Sequence, residues 1–289
     1  MAKQKRRVNE WPRHGIQALW ALLTNSHLTG FADGKIYQGN LKKICVPGLN
    51  CYSCPGAVGA CPIGAIQAVV GSWNFKFAYY VIGFLIFIGA MVGRMVCGFL
   101  CPFGLIQDLL HKIPFPKKVR TFYGDKLLRK LKYVIFLVFV ILLPMFVVDI
   151  MGQGAPYFCK FICPAGTLEG GIPLVLLNRS MRSAIGWLYA WKSVILVVTV
   201  LLSILIYRPF CKYICPLGAF YSVFNPISVF RYHVDKDKCV HCGKCASECQ
   251  MQVNPVEDAN ALECIRCGRC KKVCPTQAIS CGIKNHVKS

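Results

Sequence analysis

Nineteen of the 289 residues are cysteine, and their spacing defines the chemistry open to them. Residues 239 to 249 read Cys239-x-x-Cys242-x-x-Cys245-x-x-x-Cys249, and a second run places Cys264, Cys267, Cys270 and Cys274 at the same intervals, with Pro275 directly after. Two-residue gaps let one tight loop bring three thiolates to three corners of a single inorganic centre. Gly243 and Gly268 fall at the same place in each run, where a turn needs permissive backbone or an amide must approach a sulfur. Zinc also accepts CxxC pairs, but it takes four ligands per ion without this longer run and its trailing proline. The pattern is that of [4Fe-4S] ligation. An odd number of cysteines at short repeated spacings fits metal thiolates better than a disulfide framework. At least one face of the protein is therefore expected to be reducing.

The remaining eleven cysteines fall outside these runs, and most follow one pattern. Arg94-Met-Val-Cys97-Gly-Phe-Leu-Cys101-Pro102-Phe-Gly104 recurs 114 residues later as Arg208-Pro-Phe-Cys211-Lys-Tyr-Ile-Cys215-Pro216-Leu-Gly218. A third copy reads Cys159-Lys-Phe-Ile-Cys163-Pro164-Ala-Gly166, and Cys61-Pro62-Ile-Gly64 repeats the ending after Cys45, Cys51 and Cys54. Two cysteines four apart at a helix end are expected on one helical face, with the proline stopping the helix. Two such pairs supply four thiolates, enough for one cluster. Cys97, Cys101, Cys211 and Cys215 form a candidate inner site, holding either metal or buried thiols. Cys45, Cys51, Cys54, Cys61, Cys159 and Cys163 form a candidate outer site, holding either a cluster or disulfides. Arg94 and Arg208 either offset the charge of a cluster or mark the cytoplasmic ends of helices. Cys281 lies outside every pattern and reads as a spare thiol; His241 reads as a surface residue or a neighbour of a ligand rather than a ligand.

These residues need elements to position them. Hydrophobic residues make up 55% of the chain and charged ones only 16%, with a mean hydropathy of +0.47, too apolar for the surface of a water-soluble protein of this size. The net charge of +22 then points to an anionic membrane face rather than to nucleic acid. A bilayer takes about 20 apolar residues to cross, and residues 14–30, 77–93, 132–150 and 184–207 meet that need, the first least well. Segments 1–13, 94–132, 208–234 and 235–289 hold 26 Lys and Arg, whereas 31–76 and 150–183 hold seven. Four spans put every rich segment inside and both poor ones outside, which predicts a multi-pass protein of the cytoplasmic membrane with both termini cytoplasmic and an uncleaved first helix. Lys192, just past Trp187, Tyr189 and Trp191, reads as a lysine snorkelling to the outer headgroups. The fold expected is mainly α: a four-helix transmembrane bundle over 1–234 and a two-[4Fe-4S] ferredoxin domain over 235–289, whose folding depends on its metal.

The cysteine runs resemble those of bacterial two-cluster ferredoxins, in which the fourth cysteine of each run crosses to the other cluster. That resemblance assigns Cys239, Cys242, Cys245 and Cys274 to cluster I and Cys264, Cys267, Cys270 and Cys249 to cluster II. Together with the CxxxCP motifs, the whole of residues 10–280 resembles the NapH/NosR/FixG (CcoG) group of polyferredoxin membrane proteins, although the dense outer cysteines depart from the two CxxxCP motifs of NapH. The chain is too short to hold the flavin-bearing domain of NosR. The resemblance implies an electron-transfer subunit linking cytoplasmic low-potential carriers, a soluble ferredoxin or reductase, to quinone or an extracytoplasmic redox protein, as a quinol dehydrogenase component does. One or two further iron–sulfur clusters would lie in the membrane part. A metal reductase or assembly factor and a redox-sensing regulator are the alternatives. No Ser/His/Asp constellation, P-loop, GxGxxG or CxxCH site is present.

Overall fold

The computed structural model describes residues 9–71, 78–116, 118–149, 153–183 and 185–283. The expected span limits at Phe77, Ile150 and Ala184, and the terminal residues 1–8 and 284–289, lie outside these. Four longer helices carry the first part of the chain: Trp11–Thr24, Ala78–Val92, Asp125–Ile135 with its continuation through Phe136–Leu142 and Leu143–Phe146, and Trp187–Leu205.

All four run between the same two ends of the molecule. At one end lies the C-terminal unit: Lys132 Nζ meets Glu263 at 2.5 Å, the Val92 carbonyl accepts from Arg266 Nη1 at 2.9 Å, and Arg269 pairs with Glu10 just before the first helix. At the other end the Thr24 carbonyl accepts from the Val58 amide at 3.0 Å, and Trp191 Nε1 donates to the Phe161 carbonyl at 3.1 Å. The loops carrying residues 34 and 178 meet there too, Asn178 Nδ2 donating to Gly34 O at 2.8 Å.

Among the described residues, Trp187–Leu205 is the one helix long and apolar enough by itself to cross a membrane, 19 residues with mean hydropathy 2.1; Tyr80–Val92 and Gly166–Leu177 are apolar but shorter. The third helix starts seven residues before the expected Lys132. Its first turns, Asp-Lys-Leu-Leu-Arg-Lys, are amphipathic, and their polar side docks on the C-terminal unit through Arg129 and Lys132. Apolarity marks where a helix leaves that surface, not where it begins. Near its far end, the wider turns of Phe136–Leu142 precede Pro144, a usual way to absorb a proline that cannot donate to the preceding turn. The first helix is Trp11–Thr24 rather than 14–30, and it is inside out: Arg13, His14, Gln17 and Thr24 are buried, while Trp11, Leu19, Leu22 and Leu23 face outward.

The C-terminal unit opens before the expected residue 235. Strand β1 (Phe230–Val234) pairs antiparallel with β2 (Ile279–Ile283), Tyr232 opposite Cys281. Short helices at Lys244–Glu248 and Arg269–Val273 follow Gly243 and Gly268. Both glycines have left-handed φ, +68° and +79°, which an L side chain rarely tolerates. His241 and Arg266 share a positive φ at equivalent places in the two loops, so the two runs repeat in backbone as well as in sequence.

One buried ionic group ties the first helix to the middle of the chain. Asp108 is 3% exposed and accepts from Arg208 Nε at 2.7 Å and Arg13 Nη1 at 2.8 Å. Burial alone would raise its carboxyl; Arg208 first and then Arg13 outweigh that and hold it at about 2. Asp108→Ala strands two guanidiniums in the interior and is expected to cost about 3–5 kcal/mol in denaturant unfolding. A depressed pKa gives stability that is complete above the ordinary carboxylate value of about 4 and lost as pH falls through the folded value. The gap between wild type and variant should therefore close as pH drops from about 4 toward 2; an equal gap at both ends would contradict the pair's role.

Candidate functional site

In the C-terminal unit the two runs fold into two loops, each around an apolar cavity. Cys249, Cys264, Cys267 and Cys270 line one cavity, with Tyr232 and Met251 on its walls. Cys239, Cys242, Cys245 and Cys274 line the other. The fourth cysteine of each run thus stands with the first three of the opposite run. The Val253 amide points at Cys249 Sγ from 3.4 Å. At Cys274 slight burial raises the thiol, but the Thr276 hydroxyl and the amides of Thr276, Ala278 and Ile279 outweigh it and lower its pKa, which favours the thiolate a metal needs. Cys242 is exposed and His241 beside it faces solvent. Cys281 sits in β2 with Lys271 Nζ at 3.5 Å from its sulfur.

The CxxxCP cysteines are built differently from the expectation. The proline does not stop a helix but opens one: Pro62, Pro102 and Pro216 each occupy the first turn of a helix capped by the preceding cysteine, the place where proline's missing amide costs nothing. The amide of the residue three further on then donates to the capping sulfur, Gly104 to Cys101, Gly166 to Cys163 and Gly218 to Cys215, each at 3.4 Å. A helix N-terminus and an amide both favour a thiolate there. The first cysteine of each pair lies on a separate short helix, Met95–Phe99, Tyr157–Phe161 or Pro209–Tyr213, so the pair does not share one helical face.

Cys97, Cys101, Cys211 and Cys215 are all buried and come together as one set. Burial raises the thiols of Cys101, Cys211 and Cys215, and charge on their neighbours in the set would raise them further. Neither arginine is a surface charge. Both are fully buried, and they cross: Arg94 Nη2 donates to the Cys211 carbonyl at 3.3 Å, and Arg208 Nη1 donates to the Cys97 carbonyl at 2.6 Å. Sequence reading missed Gln107, 1% exposed, whose Nε2 points at Cys211 Sγ from 3.2 Å while its Oε1 accepts from the Phe210 amide. Fixed cations and amide donors beside four thiols suit an anionic cluster.

Of the six outer cysteines, Cys51, Cys61, Cys159 and Cys163 draw together, each of the first three close enough to Cys163 for its charge to raise that thiol. Cys54 lies toward Lys42, and Cys45 is buried beside Ala60, with which it pairs in a parallel bridge. All nineteen cysteines are free of disulfides. Lys192 does not reach outward: its Nζ donates to the Cys159 carbonyl at 3.1 Å. Among the described residues no three His, Cys, Asp or Glu groups converge as a single ion would require; a cube spreads its thiolates over four corners.

Fold and thiol geometry define an iron–sulfur protein. Two profiles of families described as 4Fe-4S binding domain match the chain, one over residues 59–79, 77–122 and 189–234, the other over 232–253 and 259–280. Relatives include an uncharacterized protein of Methanocaldococcus jannaschii, 29% identical over 60% of this chain and 65% of its own. YccM of Escherichia coli, named as a candidate electron transport protein, is 29% identical over 60% of this chain and 45% of its own. The regulatory protein NosR of Stutzerimonas stutzeri is 27% identical over 55% of this chain and 20% of its own. The chain therefore spans from a fifth to under two thirds of the relatives it matches. No solved structure matches it. The chain thus carries 4Fe-4S binding domains and is similar to polyferredoxin-like electron-transport proteins.

The crossing of the fourth cysteines is open to direct measurement. Cys274→Ser is expected to abolish the signal of the cluster held by Cys239, Cys242 and Cys245, and Cys249→Ser that of the other, each lowering bound iron by about four per chain. EPR of the reduced variants reads out which signal is lost. Loss of the signal belonging to the same run would show that each run closes on itself.

Proposed function

We propose that this chain is a multi-pass membrane protein that passes electrons between a soluble cytoplasmic carrier and quinone or an extracytoplasmic redox protein. Bound [4Fe-4S] clusters would supply one-electron exchange at the two C-terminal sites and at the inner set, Cys97, Cys101, Cys211 and Cys215. The observation that carries the reading is the closeness of the second and third of these sites. A methyl group on Gly98 would sit 2.5 Å from the Ile265 carbonyl oxygen, so the loop of Cys264 and Cys267 backs directly onto the turn holding Cys97. Arg94 reinforces the seam by donating to the Leu262 carbonyl and to Glu263, both at 2.9 Å.

The chain's own residues set the rest of the path. Exposed Cys242 leaves the first C-terminal site within reach of a soluble partner. Four helices join the thiol-rich ends, and their outward sides carry Phe87, Leu137 and Leu201, while Arg13, Gln17, Thr199 and Ser203 turn inward. That is the arrangement lipid demands. The loop end at Asn178 is poor in positive charge and the end at Lys118 rich, which supports placing the C-terminal unit in the cytoplasm.

Two experiments test this reading. Reporter fusions after Lys118 and Asn178 are expected on opposite sides of the membrane, Lys118 inside; the same side for both would undo the topology. In vesicles containing quinone, chain reduced by a soluble low-potential ferredoxin should be reoxidised over repeated turnovers. Gly98→Val should keep its iron but slow that reoxidation, whereas Gly15→Ala, with nothing within 4 Å, should not. A chain that takes up electrons once and never turns over would be a sensor instead.

A further inference from the structure

The outer end holds a second buried thiol set made by the same devices as the inner one. In the inner set, the sixth residue after capping Cys101 is Gln107, which crosses to the partner pair: amide to Cys211 Sγ at 3.2 Å, carbonyl oxygen to the Phe210 amide at 3.2 Å. At the outer end, the sixth residue after Cys61 is Gln67, fully buried. Its Nε2 points at Cys159 Sγ from 3.2 Å, and its Oε1 accepts from the Phe158 amide at 2.9 Å. The stretches Cys61-Pro-Ile-Gly-Ala-Ile-Gln67 and Cys101-Pro-Phe-Gly-Leu-Ile-Gln107 differ at two positions. A cation holds the carbonyl of the first cysteine here as well, Lys192 on Cys159 where Arg94 holds Cys211.

The reciprocal contact identifies the fourth thiol. Six residues after Cys163 stands Glu169, and its Oε2 accepts from the Cys51 amide at 2.7 Å. Gln67 therefore touches the Cys159 sulfur, and Glu169 holds the Cys51 amide. At Gly166 a methyl group would lie 3.8 Å from Cys51 Sγ and 3.9 Å from Cys163 Sγ, so the two sulfurs face the same point. Neither Cys45 nor Cys54 has a hydrogen bond from either crossing residue, although Glu169 lies near enough to Cys54 for its charge to raise that thiol.

We propose that Cys51, Cys61, Cys159 and Cys163 bind a further [4Fe-4S] cluster at the end of the molecule opposite the C-terminal unit, with Gln67 as a positioning residue that tunes it through its bond to Cys159, and with Cys45 and Cys54 left as plain thiols. The proposal rests on the reading that CxxxCP thiols hold clusters. It extends the path to the opposite face, where a redox partner would dock.

Iron and acid-labile sulfide are measured on the full-length chain purified without oxygen. Wild type should hold about sixteen irons, and Cys51→Ser or Cys159→Ser about twelve, with Cys45→Ser and Cys54→Ser unchanged. Gln67→Leu should keep the wild-type iron yet move the midpoint potential of one EPR signal to a more negative value, which a purely structural role would not do. About twelve irons in wild type, sensitive to Cys97→Ser but not to Cys159→Ser, would overturn the outer site and leave the proposed function standing; about eight, insensitive to both, would overturn both. Loss of iron in Cys54→Ser but not in Cys51→Ser would overturn the choice of fourth ligand. A disulfide among the four, found by differential alkylation, would overturn the site.

Discussion

Two buried guanidiniums organise this molecule. Arg94 and Arg208 each hold the carbonyl of the other's cysteine, and a fully buried charge needs a counter-charge or it destabilises the fold. Asp108 answers Arg208 and recruits Arg13 from the first helix. Glu263 answers Arg94, recruits Lys132 from the third helix, and belongs to the C-terminal unit. The same ionic pairs that close the inner thiol set therefore fix the first helix, the third helix and the cysteine-rich unit against it. Position of the sites relative to one another follows from charge neutralisation rather than from apolar packing alone.

How much of this was legible in the residues depended on whether a signal was local. The C-terminal runs put three thiols within a seven-residue loop, and Gly243 and Gly268 mark turns, so three ligands of each site are legible from spacing, while the crossing of the fourth comes from the resemblance to two-cluster ferredoxins. The CxxxCP pairs were recognised as repeats but misread in geometry. Proline after cysteine reads as a stop, although proline in a first helical turn, with glycine two residues on, is equally a start. Gln67 and Gln107 escaped notice because a lone glutamine in an apolar stretch carries no pattern until the two stretches are laid side by side. The aromatics flanking Lys192 point it to a headgroup region, whereas its partner, the Cys159 carbonyl, lies 33 residues away in sequence. Contacts of that kind are set by tertiary structure and leave no trace in composition.

Hydropathy located the helices but not their ends. Apolar runs report where a helix faces lipid or core, and the basic turns of Asp125–Ile135 are helical because they bind acidic and carbonyl groups of the C-terminal unit. The first helix shows the converse. Its polar residues are spent on Asp108 and on capping contacts inside the bundle, which leaves its leucines outward.

The antiparallel pairing of β1 with β2 joins Phe230 to Ile283, the last described residue. During synthesis no cysteine set in this chain can close before its final member has been made, and those members appear in a fixed order: Cys163 completes the outer set, Cys215 the inner one, and Cys270 and then Cys274 the C-terminal pair. The order of emergence from the ribosome therefore runs from the far end of the molecule toward the C-terminal unit. The C-terminal unit cannot close until its last strand, which pairs with β1, has been made.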